Sequence, residues 1–369
     1  MGDLMGIVNN TKSGTLLKEL SDNRYTAAVP FGGRYRMIDF VLSNMVNSGV
    51  RNVGILVQDK YRSLMDHLRS GKEWGLARKR DGLFILTPPY HDSIRKGDLD
   101  NFHCNREYLE KSHQKYVVVS GSNIVCNINY MDALHFHKQY GGDITVLYTE
   151  ENTSTADLGN ATVLSMNADG QILSMEVSPN KPKSNLISMD MMIMEKSLLI
   201  DLIDEAISKG GHDFLMDCII RNLPRLKVFG YHHPGYVGRI HSVQSYFKHN
   251  MDLLHTDIWE EIFLKGGPIY TKVKDQGPVK YMDSAIVKNS LIANGCIIEG
   301  TVENSILFRG VRVHKGAIIK DSIILQYCEI DAKSELKHII LDKDVHVTQN
   351  NKLRGSMEYP IIVEKNTSL

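Results

Sequence analysis

The chain has 369 residues, of which 42% are hydrophobic, and its 43 Lys and Arg residues balance 43 Asp and Glu residues. This composition is ordinary for a globular protein and excludes collagen, a coiled-coil rod and a disordered tail protein. Because the net charge is zero, the chain has no excess of the cationic residues that bind nucleic acid or a membrane surface. We therefore expect neither partner. A length of about 150 residues per domain predicts two or three domains.

Targeting signals and cysteine spacing indicate the compartment. No apolar run is long enough to span a bilayer, and the N-terminus lacks the basic and apolar segments of a signal peptide. The five cysteines are widely spaced and form no CxxC pair, which argues against a zinc cluster and a disulfide scaffold. We therefore expect buried, reduced thiols and a cytoplasmic location.

Short apolar runs alternate with helical patterns through the first half of the chain. They predict strands over Leu4–Val8, Asn52–Gln58, Tyr116–Ser120 and Ile144–Tyr148, and helices over Arg34–Gly49, Asp59–Arg69 and Tyr130–Tyr140. Continuous apolar strands between helices are typical of a parallel sheet covered on both faces. Because ligands bind beyond the carboxyl ends of such strands, we expect a site at residues 9–17 and 121–123.

The second half changes character near residues 266–268. Helical patterns over Ser242–Leu254 and Ile258–Leu264 end there, and short Ile/Val pairs follow after Tyr281. Aliphatic residues then recur every six positions, as in Ile318, Ile324, Ile330 and Leu336. This period predicts a parallel β-helix of hexapeptide repeats, with about 18 residues per coil and an irregularity at residues 301–313. A plain antiparallel set of strands is the alternative.

Several blocks of the sequence resemble bacterial glucose-1-phosphate adenylyltransferases (ADP-glucose pyrophosphorylases). They run in the family's order, at residues 28–40 (AVPFGGRYRMIDF), 42–44, 47–49, 182–186, 212–217 and 250–254. The resemblance implies an α/β fold, with a Rossmann-like nucleotidyltransferase domain (mixed, mainly parallel sheet) over residues 1–240. A helical linker over 241–280 and a C-terminal left-handed parallel β-helix over 281–369 would follow. The family makes ADP-glucose and pyrophosphate from ATP and glucose 1-phosphate, as tetramers under allosteric control.

The departures from the family decide the expected function. In that reaction the sugar phosphate attacks the α-phosphorus of ATP, and the protein supplies cations and carboxylates that hold magnesium. The resemblance aligns the catalytic arginine with Leu16, the phosphate-binding lysine with Ser178, and the magnesium aspartates with Ser122 and Arg239. A neutral hydroxyl cannot replace a carboxylate on a hard dication. We therefore expect no catalytic residue, no metal and no cofactor, with Mg²⁺ bound only if the chain is active after all.

Other positions keep the family's residues and are candidates for vestigial substrate binding. They are Gly14, Thr15, Gln58, Gly121, Ser188 and Asp217. Competing interpretations are a plain turn for Gly14 and Thr15, a strand-end amide for Gln58, and a capping carboxylate for Asp217.

Three functions remain open. The first is a regulatory, catalytically impaired subunit, similar to the family's non-catalytic glycogen-biosynthesis type (GlgD type), acting through a catalytic partner in a hetero- or homo-tetramer. The second is an active nucleotidyltransferase that recruits Asp98, Asp100 and Asp217 as displaced ligands. The third is an acyltransferase, because hexapeptide β-helices also occur in such enzymes. Its candidate histidines are His314, His338 and His346.

Regulation is a further expectation from the resemblance, which implies an anionic sugar-metabolite effector bound by basic residues near the Gly-Gly-Arg segment. Here those residues are Arg24, Arg34 and Arg36. Arg34 and Arg36 flank the predicted start of a helix, where free amides and the helix dipole favour an anion. Salt bridges at the surface or at a subunit interface are the competing interpretation.

Overall fold

The computed structural model describes residues 2–10, 17, 20–22, 24–58, 60–88, 97–151 and 158–369. Gly14, Thr15 and Leu16 lie outside the described residues. Among the described helices, none combines the length and the apolar character needed to cross a membrane. All five cysteines are described and unbridged; four are buried as expected, whereas Cys104 is exposed.

The elements of residues 4–265 are listed here in chain order. The strands are β1 Leu4–Asn9, β2 Pro30–Phe31, β3 Tyr35–Arg36, β4 Asn52–Leu56, β5 Gly82–Leu86, β6 Tyr116–Ser120, β7 Ile124–Val125, β8 Ile144–Glu150, β9 Thr162–Met166, β10 Ile172–Val177, β11 Leu186–Glu195, β12 Val228–His232 and β13 Gly238–Arg239. The helices are α1 Met37–Asn47, α2 Arg62–Leu68, α3 Leu99–Cys104, α4 Arg106–Lys111, α5 Tyr130–Tyr140, α6 Lys196–Ser208, α7 Val243–Asp252 and α8 Thr256–Glu260. Short 3-10 or π-helical segments cover Thr26–Ala28, Lys72–Trp74, Phe214–Ile219, Ile220–Asn222 and Glu261–Lys265.

The described residues form two compact units. The first unit comprises the described residues of 1–13, 40–237 and 266–270. The second unit comprises those of 14–39, 238–265 and 271–369. The linear domain bounds given by the sequence analysis stay a prediction.

A mixed nine-stranded sheet organises the first unit. Its order is β10-β9-β11-β6-β1-β4-β5, with β8 beside β11 and β12 beside β8. Strands β6, β1, β4 and β5 run parallel, whereas β11 runs antiparallel to β6. All five residues of β6 are buried, which explains the unbroken apolar run, and each fully buried valine contributes about 1.5–3 kcal/mol. The predicted α/β fold with a mixed, mainly parallel sheet is confirmed.

Helix α1 begins at Met37, three residues later than predicted. Tyr35 and Arg36 instead pair antiparallel with Phe31 and Pro30 as the short hairpin β2–β3. The turn of this hairpin contains Gly32 and Gly33, whose φ angles of 60° and 82° suit glycine. The hairpin therefore occupies residues that helical periodicity alone assigned to the helix.

The C-terminal part of the second unit is a stack of coils. Its strands are β14 Lys280–Tyr281, β15 Ile286–Lys288, β16 Leu291–Ile292, β17 Ile297–Ile298, β18 Thr301–Glu303, β19 Ile306–Leu307, β20 Arg312–Val313, β21 Ile318–Lys320, β22 Ile323–Ile324, β23 Glu329–Ile330, β24 Glu335–Lys337, β25 Ile339–Leu341, β26 His346–Val347, β27 Lys352–Arg354 and β28 Ile361–Val363. They form three five-stranded sheets in which every pairing is parallel. This arrangement confirms the predicted left-handed β-helix of hexapeptide repeats and excludes an antiparallel set.

Most coils are shorter than the predicted length, whereas Ile339 pairs with Ile361, twenty-two residues on. Ile286 pairs with Thr301, fifteen residues on, and Thr301 pairs with Ile318, seventeen residues on. The coil length therefore changes at Thr301, where the predicted irregularity begins. Ile319 is fully buried, whereas the predicted repeat placed Ile318 inside. The predicted repeat is displaced by one residue at this strand, and such a displacement exchanges its inward and outward faces.

Candidate functional site

The carboxyl ends of β1 and β6 meet in the first unit, where the sequence predicts a ligand site. The Ser122 hydroxyl donates a hydrogen bond of 2.7 Å to Oδ1 of Asn10, and both side chains are buried. The Gly121 N–H donates to the carbonyl of Asp190 at 2.9 Å. Asn10 Nδ2, also buried, has no hydrogen-bond partner in the described part of the chain. The strand ends thus present a hydroxyl, an amide and an unused N–H donor.

A buried carboxylate, Asp98, joins three segments of the same unit. Its Oδ2 accepts a hydrogen bond of 2.7 Å from Asn9 Nδ2, and its Oδ1 accepts one of 2.8 Å from the Phe214 N–H. The Leu99 N–H donates to the His212 carbonyl beside it. A Cβ on Gly97 would lie 1.9 Å from that carbonyl oxygen, so this position accepts only glycine without rearrangement. Asp98 therefore connects the end of β1 and the start of α3 to the segment 212–214 through hydrogen bonds.

Asp217 is engaged in the same way. Its Oδ2 accepts from the His212 N–H at 2.7 Å and from the Asp213 N–H at 3.0 Å, and its Oδ1 pairs with Arg221 at 3.0 Å. The hydrogen bond from the Asp213 N–H is the largest cause that holds the pKa of Asp217 below its usual value. These contacts support the capping interpretation of this carboxylate.

The residues present at the strand ends do not fit a magnesium ion. Mg²⁺ requires carboxylate or other oxygen ligands, whereas Ser122 just beyond the end of β6 offers a neutral hydroxyl that is already hydrogen-bonded to Asn10. Asp98 and Asp217 already use both carboxylate oxygens in contacts with protein groups.

The remaining first-unit candidates lie on or just after three other strands, β4, β10 and β11. Gln58 follows β4 and is half-buried, and Ser188 is buried on β11, where its Oγ accepts the Asp190 N–H at 3.2 Å. Ser178 lies exposed at the end of β10 with a φ of 50°, and its N–H donates to Ala161 at 2.9 Å. The structure thus joins Gly121 and Ser122 to Asn10 and Asp190, whereas Ser178 faces solvent.

The arginines proposed for an effector lie in the second unit and differ in burial. Arg24 is buried, pairs with the Asp342 carboxylate and donates from Nε to the Leu20 carbonyl at 2.8 Å. Arg34 is exposed, with its guanidinium 5.5 Å from the centre of the Tyr35 ring. Arg239 is also in this unit and is buried on β13.

Two backbone amides at the start of helix α1, where the sequence predicts an anion site, already have acceptors within the protein. The Arg36 N–H donates to Asp39 Oδ2 at 3.0 Å, and the Met37 N–H donates to the Val29 carbonyl at 3.1 Å. The protein's own acceptors therefore satisfy two of the amides that a bound anion would use.

Instead, cationic side chains gather in the second unit around Lys343. Burial, followed by repulsion from Arg36, Arg24 and Lys274 against the opposing attraction of Asp342, lowers the pKa of Lys343 to about 7. Burial, with further repulsion from Arg309 and Arg36, also lowers the pKa of Lys274. The Asp342 carboxylate, which pairs with Arg24, offsets part of this positive charge, and a bound anion would offset more of it.

Known proteins resemble the chain over nearly its whole length. The family described as "Nucleotidyl transferase" matches residues 11–255, and "GlmU-like, C-terminal hexapeptide" matches residues 278–355. Glucose-1-phosphate adenylyltransferase of Thermosipho africanus is 32% identical over 333 residues, covering 87% of this chain and 78% of that protein. The chain belongs to the glucose-1-phosphate adenylyltransferase family.

Relatives named "Glycogen biosynthesis protein GlgD" are similar over a still larger part of the chain. The Geobacillus stearothermophilus protein is 41% identical over 368 residues, which cover 99% of this chain and 96% of the relative. The Bacillus subtilis protein is 38% identical over 364 residues, covering 98% and 96%. The family resemblance stated from the sequence blocks is thereby confirmed.

The sequence analysis missed the cationic residues whose pKa is lowered by burial and by neighbouring cations. Lys343, Lys274 and Arg309 sit in turns or loops and match no family block used above. Only Lys343 has a signal in the sequence, because it lies between Asp342 and Asp344 in the turn after β25. Asn10 was missed as well, because its partner Ser122 lies 112 residues away.

Proposed function

We propose that this chain is a regulatory, catalytically impaired subunit of glucose-1-phosphate adenylyltransferase that supports ADP-glucose synthesis for glycogen through a catalytic partner subunit. The relatives named as glycogen biosynthesis proteins support the pathway. The hydrogen bond between Ser122 and Asn10 carries the proposal of impaired catalysis, because it fills with two neutral side chains a strand-end position that the family gives to a magnesium aspartate. The reaction would take place in the cytoplasm, on the partner's own active site.

Two of the carboxylates that could replace the missing magnesium ligands are already bound to other groups of the protein. An active chain would have to withdraw Asp98 from Asn9 and Phe214, or Asp217 from two backbone amides. Removing one partner of a buried hydrogen-bonded charge costs about 1–3 kcal/mol or more. Loss of a single transition-state contact already lowers the rate about 10²–10³-fold, and Ser178 removes a further charge.

The β-helix offers a surface for the partner subunit. Strands β14, β15 and β16 form one edge of its three sheets, and β26, β27 and β28 form the other. Tyr281 and Ile286 on the first of these edges are 55% and 50% exposed, respectively. Exposed apolar side chains beside open strand edges are typical of a protein interface, which supports assembly into a hetero- or homo-tetramer.

Regulation by an anionic sugar metabolite is the second element of the proposal. The neighbouring cations that lower the pKa of Lys343 and of Lys274 support it, together with exposed Arg34. Replacing Arg34 or Arg36 by alanine should shift the midpoint of the effector response of the mixed complex by about fivefold or more. Lys315→Ala, which changes an exposed lysine of the β-helix, is the control and should leave the midpoint unchanged.

The decisive experiment compares ADP-glucose synthesis by this chain alone, by a catalytic paralogue alone and by their mixture. We expect background activity from the chain alone, co-elution of the two chains, and altered saturation curves in the mixture. Magnesium-dependent synthesis by the pure chain at about 1 s⁻¹ would establish the active alternative instead. Failure of the two chains to co-elute would refute the role as a subunit.

A further inference from the structure

Two histidines and two carboxylates converge on the outer surface of the β-helix: His314, His346, Glu329 and Asp331. In the sheet that contains β20, β23 and β26, Arg312 pairs with Glu329 and Glu329 pairs with His346. His314 and Asp331 each follow the end of such a strand by one residue. Three successive coils therefore contribute to one patch.

The polar atoms of this patch lie close to one another. His314 Nε2 is 2.8 Å from Glu329 Oε1 and 3.9 Å from Asp331 Oδ1. His346 Nε2 is 3.0 Å from Asp331 Oδ2. Ligand atoms of His314, Glu329 and Asp331 all lie within 4.8 Å of one another, and Asp331 reaches both imidazoles. The four side chains are between 31% and 45% exposed, so an ion can reach them from solvent.

These separations suit a transition-metal ion. Zn–N and Zn–O bonds of about 2.0–2.2 Å in a tetrahedron place neighbouring ligand atoms about 3.3–3.6 Å apart. The observed separations of 2.8, 3.0 and 3.9 Å bracket this value. His346 is hydrogen-bonded to Asp331 and would turn towards His314 and Glu329 to complete the ligand set. Imidazole nitrogen with carboxylate oxygen is a ligand set for Zn²⁺, Co²⁺ and Ni²⁺ rather than for Mg²⁺ or Ca²⁺.

The fold holds these ligands in place. The neighbouring residues Val313, Ile330 and Val347 are buried inside the β-helix, and they fix the backbone of each coil at the patch. Parallel strands stand about 4.8 Å apart, so equivalent side chains of successive coils stack at nearly constant distance. A preorganised set of this kind loses little conformational freedom when it binds an ion.

We propose that His314, Glu329, Asp331 and His346 form a binding site for one divalent transition-metal ion such as Zn²⁺, which links three coils of the β-helix. The site is independent of the proposed function, because it contains none of the residues assigned to substrate, effector or partner binding. It also gives two of the histidines considered for acyl transfer a different role.

The test uses the full chain, freed of metal and of any affinity tag, and titrates it with Zn²⁺ against a chromophoric chelator. We expect one tightly bound Zn²⁺ per chain, a higher melting temperature with the ion, and visible absorption bands typical of nitrogen-coordinated Co²⁺ when Co²⁺ replaces it. His314→Ala and Asp331→Asn should each weaken Zn²⁺ binding at least about tenfold, since even indirect support of a metal ligand is worth about 10–100-fold.

Two variants serve as matched controls. Arg312→Ala changes an exposed residue in the same column of the sheet and should keep or increase the affinity, because it removes a competing cation. His113→Ala changes an exposed histidine 3.6 Å from the single carboxylate of Asp81 and should have no effect. Absence of stoichiometric Zn²⁺ binding by the unaltered chain overturns the proposal. Equal binding by the His314→Ala and unaltered chains, or equal loss in Arg312→Ala, overturns it too.

Discussion

Replacing Lys343 by methionine should stabilise the protein, although it removes a charged side chain from the β-helix. In the folded chain the pKa of Lys343 falls to about 7, chiefly through burial and then through Arg36 and Arg24. In an unfolded chain lysine titrates at about 10.4, and each unit of difference corresponds to about 1.36 kcal/mol. The upper limit of the stabilisation is therefore about 4.6 kcal/mol. Because Lys343 is half-buried and partly screened by water, we expect about 1–2 kcal/mol.

The pH dependence gives this prediction its sign. Between about pH 7 and 10.4 the unfolded chain holds the proton that folded Lys343 has released, so stability rises with pH across this range. Below about pH 7 both states are protonated and the penalty is complete. The gain from Lys343→Met should therefore be largest in mildly acidic buffer and vanish above about pH 10.

Urea unfolding of the unaltered chain, Lys343→Met and the control Lys315→Met at several pH values measures these differences. Lys315 is exposed, so its replacement should change the midpoint little. A Lys343→Met chain that is less stable at low pH, or a gain that is independent of pH, would refute the reasoning. Phosphate should stabilise the unaltered chain more than Lys343→Met if an anion compensates this group of cations.

Three further predictions concern the first unit. Asp217→Asn should lower the free energy of unfolding by about 1.5–3 kcal/mol at neutral pH, because the carboxylate accepts two backbone N–H groups. Its folded pKa lies below the usual value, so this stability is present above about pH 4 and is lost as the pH falls; a difference that persists in acid contradicts the account. Gly97→Ala should destabilise by about 1–3 kcal/mol through its clash with the His212 carbonyl, whereas Gly277→Ala, with no atom near its added Cβ, should be close to neutral in thermal unfolding. Ser122→Asp alone should leave ADP-glucose synthesis at background in a coupled assay, since Ser178 and the other altered positions remain; a clear rise in turnover would show that this single charge limits the reaction.

The sequence by itself determined the class of each half of the chain. Buried strands such as β6 lie on unbroken apolar runs, and the six-residue aliphatic period specifies coils, because both patterns arise from local backbone geometry. The neutral side chains of Ser122 and Ser178, at positions where the resemblance implies charged residues, are also visible in the sequence alone. Helix α1 was misplaced at its start because a hairpin of two-residue strands leaves no periodic pattern.

Only the tertiary structure decided what the polar residues contact. Asn9 meets Asp98 across 89 residues of sequence, Ser122 meets Asn10 across 112, and Arg24 meets Asp342 across 318. No local pattern encodes such pairs, since they depend on which strand ends and turns the fold brings together. The burial that shifts the pKa of Lys343 and the stacking that gathers His314, Asp331 and His346 arise in the same way. Desolvation and convergence of charge are properties of the packed chain, and periodicity along the sequence carries no information about either.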